Sequence, residues 1–181
     1  MFQDKITEIW YLHDYHTYWM YDAYGEKVLN PAHTKILYQF KQGDAHAIEH
    51  YYNLMKDELI NFRNTSDTII IPIPSSKSGQ VSSSLLTLSE RLATYNNIRY
   101  LNNCLERTVD IPKLAQGGDR HKEVHFNSLR INNPQLVKNK VILLLDDVTT
   151  SGNSLLASKE LFEKKDTSEV ICLSLTKTVH D

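Results

Sequence analysis

Two adjacent acids, Asp146 and Asp147, follow the apolar run Val141-Ile142-Leu143-Leu144-Leu145 and precede Val148-Thr149-Thr150-Ser151-Gly152-Asn153-Ser154. An ionised carboxylate only accepts hydrogen bonds, so this pair suits the two vicinal hydroxyls of a ribose. The same oxygens can hold the water shell of a Mg²⁺ ion. The turn after them is built for an anion. Thr150, Ser151 and Ser154 carry hydroxyls that can donate to phosphate oxygens, and Thr149 and Asn153 extend the polar stretch. Gly152 lets the backbone approach closely. A helix starting there aims free N–H groups and the positive end of its dipole at one point. The GK[ST] signature of a Walker loop is absent, so that mode of phosphate binding is excluded.

Such a turn needs a strand before it and a helix after it. Residues 141–145 form a continuous apolar run, the mark of a strand buried on both faces. Residues 154–162, with Leu155, Leu156 and Leu161, read as the helix. Thr68-Ile69-Ile70-Ile71-Pro72-Ile73-Pro74 is a second buried strand and residues 170–175 a third, with short strand character at 98–101. Between them, Val81, Leu85, Leu88 and Leu92 mark one helical stripe. Strands alternating with helices imply an α/β fold with a parallel sheet and right-handed crossovers. Ligands bind such sheets at the carboxyl ends of the strands.

The rest of the chain is less regular. Residues 1–33 hold Trp10, Tyr11, Tyr15, Tyr18, Trp19, Tyr21 and Tyr24, and read as a small lobe or hood of short strands. It could offer an aromatic face to a base. Residues 34–181 then form the α/β domain. Residues 34–62 read as two helices broken near Gly43, the second capped by Asp44. Residues 106–135 are polar, and the stretch near 106–128 is expected to be a long mobile loop with one helix. His46-Ala47-Ile48-Glu49-His50 has the spacing of inverted zinc peptidases, but no third ligand stands out, so an ordinary helix is expected.

Composition sets outer limits. The 181 residues suit one domain with a small accessory lobe, and a net charge of −2 argues against general nucleic-acid binding. Cys104 and Cys172 are isolated, which excludes a zinc ribbon and fits a reducing cytoplasm. The opening MFQDKITEIW has an acid where a secretory signal is basic, and no apolar run spans a bilayer. A cytoplasmic protein with no membrane partner is expected.

The run at 141–154 resembles the phosphoribosyl pyrophosphate (PRPP) motif of type I phosphoribosyltransferases: four hydrophobic residues, two acids, a hydrophobic residue and a Thr/Ser/Gly-rich turn. The resemblance implies a Rossmann-like parallel sheet flanked by helices, with an N-terminal hood. It also implies a pyrophosphate loop after the first core strand, here Ser75-Ser76-Lys77-Ser78-Gly79. The chain is most similar to competence protein F (ComF)-like members. Phe40-Lys41-Gln42-Gly43-Asp44 looks like their segment before a helix, and Arg107-Thr108, Gln116 and Arg120 like a stretch of their mobile region. It lacks their N-terminal cysteine zinc finger. Their usual Arg-Gly-Phe-Asn-Gln segment is replaced by Ser78-Gly79-Gln80-Val81-Ser82-Ser83. Thr150 stands where hypoxanthine–guanine enzymes place an acid, which points away from them.

The resemblance implies displacement of pyrophosphate from PRPP by a nitrogenous acceptor, with Mg²⁺ as cofactor. Residues 149–154 would grip the 5-phosphate. Asp146, Asp147, Lys77 and Arg120 form the expected catalytic set, with Ser75, Ser76 and Lys77 on the pyrophosphate. Arg107, Lys113 and Lys122 join Arg120 as cations that could reach in from the loop, and His121 and His125 lie near it. No residue stands out as a general base. Dimers are common in the family, so a homodimer is compatible with it. The rival reading is a non-catalytic module that senses PRPP or a nucleotide, linked to DNA uptake or processing as in ComF-like proteins.

Overall fold

The three apolar runs become neighbouring strands. A computed structural model describes residues 1–31, 34–62, 67–111 and 122–179. Its strands are β1 (Phe2–Gln3), β2 (Trp10–Tyr15), β3 (Trp19–Tyr21), β4 (Lys27–Leu29), β5 (Thr68–Pro72), β6 (Arg99–Tyr100), β7 (Leu105–Arg107), β8 (Leu129–Ile131), β9 (Val141–Thr149) and β10 (Glu169–Thr178). Its α-helices are α1 (Lys35–Lys41), α2 (Ala45–Met55), α3 (Ser83–Asn96), α4 (Lys122–Ser128) and α5 (Asn153–Glu163). The main sheet has six strands in the order β1-β2-β10-β9-β5-β6. All neighbours are parallel except β1, which runs antiparallel to β2.

β9 sits between β5 and β10, with Ile70 opposite Leu143 and Cys172 opposite Leu144. Successive strand residues face opposite sides. Leu143 and Leu145 therefore pack with residues of α1, α2 and α3 such as Phe40, Tyr51 and Leu88. Ile142 and Leu144 pack with Leu155 and Phe162 of α5 on the other side. Ile142, Leu143, Leu144 and Leu145 are wholly buried, each stabilising the fold by about 1.5–3 kcal/mol relative to exposure. The two-helix reading of 34–62 holds: Gly43 turns the chain at φ +83, and Asp44 caps α2 by accepting from the Ala47 N–H at 2.9 Å. Glu49 is occupied on the surface by Arg91 and Asn53.

Two regions differ from expectation. Residues 1–33 do not stand apart as a lobe, because β2 extends the main sheet beside β10, with Trp10 and Leu12 packed against the core. Of the strands in this N-terminal segment, β3 and β4 form a separate two-stranded sheet. The polar stretch after residue 105 is also more structured than its composition suggests. β7 pairs antiparallel with β8, and α4 packs on α5. The rest of that stretch, residues 112–121 with Lys113, Gln116, Arg120 and His121, lies outside the described residues.

The N-terminal turn between β1 and β2 is held by Asp4. Its carboxylate accepts from the Ile6 and Thr7 N–H groups and the Thr7 hydroxyl, at 3.1, 2.7 and 2.8 Å. It also pairs with Lys177 of β10. The Lys177 hydrogen bond above all, then the Thr7 and Ile6 donors, hold the Asp4 carboxyl far below the usual carboxylate range. A depressed folded-state value means that this stabilisation is present above about pH 4 and is lost as pH falls through the lower, folded value. Asp4→Asn should cost on the order of 2 kcal/mol at pH 7. Urea melts from pH 2 to 7 should show the variant's acid limb flattened; a deficit that is the same at every pH would contradict this assignment.

Candidate functional site

At the carboxyl ends of β5 and β9 the sheet opens into a cleft of about 620 Å³. It contains the acid pair, the polar turn and the start of the loop after β5. Asp146, Asp147, Thr149, Thr150, Ser151, Gly152, Asn153, Ser154, Ser75 and Ser76 all line it. The fold thus brings together nearly every residue singled out from the two motifs. Lys77 is the exception: it is exposed and does not line the cleft.

The acids are fixed by their strand. The Asp147 N–H donates to Asp146 Oδ1 at 2.8 Å, and the Thr176 hydroxyl of β10 donates to the Asp147 carbonyl at 3.3 Å. Lys41 Nζ, at the end of α1, lies 3.5 Å from Asp147 Oδ2. Burial, with the neighbouring Asp147 charge, pushes the Asp146 carboxyl well above the ordinary range. The Asp147 N–H, Lys41 and Arg107 pull the other way. Two carboxylates side by side with limited solvation call for a partner that donates or carries positive charge.

The turn is shaped for an anion. Gly152 takes the left-handed φ of +78 and begins α5 without any side-chain cap, so the first amides of an eleven-residue helix face the cleft. The Thr149 hydroxyl is buried and has no hydrogen-bond partner among the described residues. Thr150 is steadied by the Thr178 hydroxyl at 2.9 Å.

The loop after β5 is stitched to β7 by Arg107. This guanidinium, expected to reach in from a loop, is instead almost wholly buried. Its Nε donates to the Ser75 carbonyl and its Nη1 to Ser128 Oγ, both at 2.5 Å. The Gly79 N–H and Ser78 hydroxyl donate to the Arg107 carbonyl, the Ser78 N–H to Asp110 Oδ1, and the Ile111 N–H to the Ser76 carbonyl. A charge buried this way must be satisfied by such bonds, which makes Arg107 both a wall of the cleft and a fastener of the loop. His125 of α4, buried, also lines the cleft. Lys41 escaped the site assignment, although its signal was present in the Phe40-to-Asp44 segment.

No group of three or more His, Cys, Asp or Glu residues that could cage a metal occurs among the described residues. The acid pair alone fits a cation that keeps its waters and takes further oxygens from a ligand, as Mg²⁺ does. No helix among the described residues is long and apolar enough to cross a membrane.

A family model described as a phosphoribosyl transferase domain matches residues 50–180, and the chain belongs to that family. Comparison with curated proteins finds no match. Among solved structures, adenine phosphoribosyltransferase from Thermoanaerobacter pseudethanolicus is 16% identical with a TM-score of 0.50, over 88% of this chain and 94% of that one. Adenine phosphoribosyltransferase from Leishmania tarentolae is 10% identical with a TM-score of 0.50, over 88% and 82%. At such identities the likeness establishes the fold, a parallel-dominated sheet flanked by helices of the type I phosphoribosyltransferase kind.

Gly152 gives this site a direct test. A Cβ there would lie 2.6 Å from Ile9 Cδ1 and 3.5 Å from Thr7 Cγ2, at a backbone angle that favours glycine. Gly152→Ala should lose about 1–3 kcal/mol in denaturant unfolding. Ile9→Val removes the offending methyl, so the double variant should be less destabilised than the two single losses added together. Strict additivity would show that the N-terminal turn does not press on the phosphate turn.

Proposed function

We propose that the protein binds PRPP in this cleft and transfers the phosphoribosyl group to a nitrogenous acceptor. One observation carries the reading: an acid pair, an uncapped glycine-led helix start and a buried, unpaired Thr149 hydroxyl converge on one cleft at the carboxyl edge of a parallel sheet. These are the complements of a ribose diol and a 5-phosphate.

In the reaction the bond from C1 of the ribose to the pyrophosphate oxygen breaks with its electron pair leaving on pyrophosphate. A nitrogen lone pair forms the new bond to C1, and the nitrogen's proton passes to solvent. The chain's contribution is positional and electrostatic. Residues 149–154 hold the 5-phosphate, Asp146 and Asp147 fix the ribose through its hydroxyls, and Ser75 and Ser76 face the departing group. Mg²⁺, held through its waters near Asp146 and Asp147, would supply positive charge to the pyrophosphate. Arg120, outside the described residues, and the exposed Lys77 are retained as candidates for the closed state. The aromatic segment with Tyr18, Trp19 and Tyr38 would form the hood over the acceptor; Tyr18 lies 4.9 Å from Trp19 and 6.0 Å from Tyr38 by ring centroids. The ComF-like resemblance, a homodimer and a cytoplasmic setting belong to the same proposal.

The second reading, a PRPP or nucleotide sensor, is favoured by the position of Lys77 outside the cleft and by the engagement of Arg107 within the protein. Incubation with PRPP, Mg²⁺ and a panel of bases and amines separates the two. Pyrophosphate release with one acceptor is expected; thermal stabilisation by PRPP without release from any acceptor would mark a sensor, and absence of PRPP binding would end both readings. Asp146→Asn combined with Asp147→Asn should weaken PRPP binding by roughly 10²-fold or more with the melting temperature preserved. Unchanged affinity in calorimetry would remove the acids from the site.

A further inference from the structure

The cleft has a cation that neither motif supplies. Lys41 lines it from the end of α1, with its side chain about two-fifths exposed and Nζ 3.5 Å from Asp147 Oδ2. The helix end that carries it is pinned. The Phe40 carbonyl accepts from the buried Ser84 hydroxyl at 2.5 Å, which ties α1 to the first turn of α3. The chain enters α3 directly from the loop holding Ser75 and Ser76, and Ser82 and Leu85 line the same cleft. Lys41 therefore belongs to the wall made by that loop and by the start of α3, and reaches from it toward Asp147.

The other cations near this wall are placed differently. Lys77 is exposed and does not line the cleft, and Arg107 donates to Ser75 and Ser128 within the protein. The residues that follow Lys77 in this loop, Ser78, Gly79 and Gln80, carry no charge. A leaving pyrophosphate beside two carboxylates needs positive charge from the chain as well as from a metal ion. The Lys41–Asp147 pair is long and partly solvated, and such a pair is held weakly. An ammonium on a four-carbon stem can exchange that partner for a phosphate oxygen without moving its helix. α3 adds to this, since no side chain caps its start at Ser82.

We propose that Lys41 is the residue that meets the pyrophosphate group of PRPP, supplying the cation that the loop after β5 does not bring to the cleft wall. The assignment rests on the ribose-phosphate reading of the cleft and specifies which residue serves its second anion subsite. It makes Lys41 a contact for PRPP that ribose 5-phosphate does not use.

The test is calorimetric titration of the full chain with ribose 5-phosphate, with Mg²⁺-pyrophosphate and with Mg²⁺-PRPP. Lys41→Met should weaken PRPP and pyrophosphate binding about tenfold or more, while ribose 5-phosphate changes by no more than about threefold, the margin within which charge removal at a partly exposed pair is felt. Lys41→Arg should restore most of the loss, as a charge contact would and a packing role would not. Circular dichroism monitors folding, and Lys41→Gln carries the same comparison if the methionine variant does not fold. Equal weakening toward all three ligands would overturn the proposal by making Lys41 a support of the acid pair. Unchanged PRPP affinity, or a loss confined to Lys77→Met, would overturn it as well. A wild-type protein that binds ribose 5-phosphate, and PRPP no more tightly, would refute the Lys41 assignment while sparing the ribose-phosphate site. Failure of the wild type to bind either sugar phosphate would refute the underlying reading and this inference with it.

Discussion

The site depends on β9 being buried on both faces and flanked on both edges. Its first residues have no freedom: Ile142 to Leu145 are wholly enclosed, and β5 and β10 fix their register. The strand must therefore deliver residues 146 and 147 to the same place each time the chain folds. Both acids are thereby held in one cleft, with the Asp147 N–H bonded to the Asp146 carboxylate. The strain this creates is electrostatic. Asp146 is pushed toward its neutral form by burial and by Asp147, so the cleft holds a pair that a hydroxyl donor or a cation would relieve. The same apolar segment that stabilises the fold thus sets up the demand for a ligand.

Arg107 imposes the second constraint. A guanidinium buried this fully is tolerated only while its donors are used, and Arg107 donates to the Ser75 carbonyl and the Ser128 hydroxyl. The loop after β5, the strand β7 and the end of α4 are consequently one mechanical unit. A shift of the loop on ligand binding would have to carry β7 with it or break a charge-assisted bond. That coupling passes directly into residues 110 and 111, through Asp110 with the Ser78 N–H and through the Ile111 N–H.

Legibility from sequence followed burial. The runs at 68–72 and 141–145, the α5 helix, and the cap at Asp44 were readable because local pattern and tertiary role agree there. The phosphate turn was readable because strand, acids, glycine and helix occur without a gap. β2 was not placed correctly, since a half-exposed edge strand with aromatic residues has the same pattern whether it joins a large sheet or a small one. β7 and β8 are three-residue strands, too short to carry a period. The burial of Arg107 is illegible for a physical reason: arginine is ordinarily a surface residue, and partners distant in sequence, Ser75 and Ser128 among them, make its burial tolerable. Lys41 was read as part of a helix-entry segment because its distance to Asp147 is created by packing across some hundred residues of sequence.

The cleft sorts its anion contacts by kind. The turn at 149–154 offers backbone N–H groups and hydroxyls, which cost little to preorganise and carry no net charge that would need a counter-ion. The ribose side offers negative charge. Among the described lining residues, lysine and arginine charge comes from Lys41 and Arg107, the latter fixed by its hydrogen bonds. A neutral cradle for the phosphate that stays and a mobile cation for the phosphate that leaves is the arrangement a displacement at C1 requires. Under the proposed reaction, the group gaining charge as the bond breaks would be the one that meets an ammonium able to follow it, whereas the 5-phosphate, whose charge does not change, would be held by dipoles that need not move.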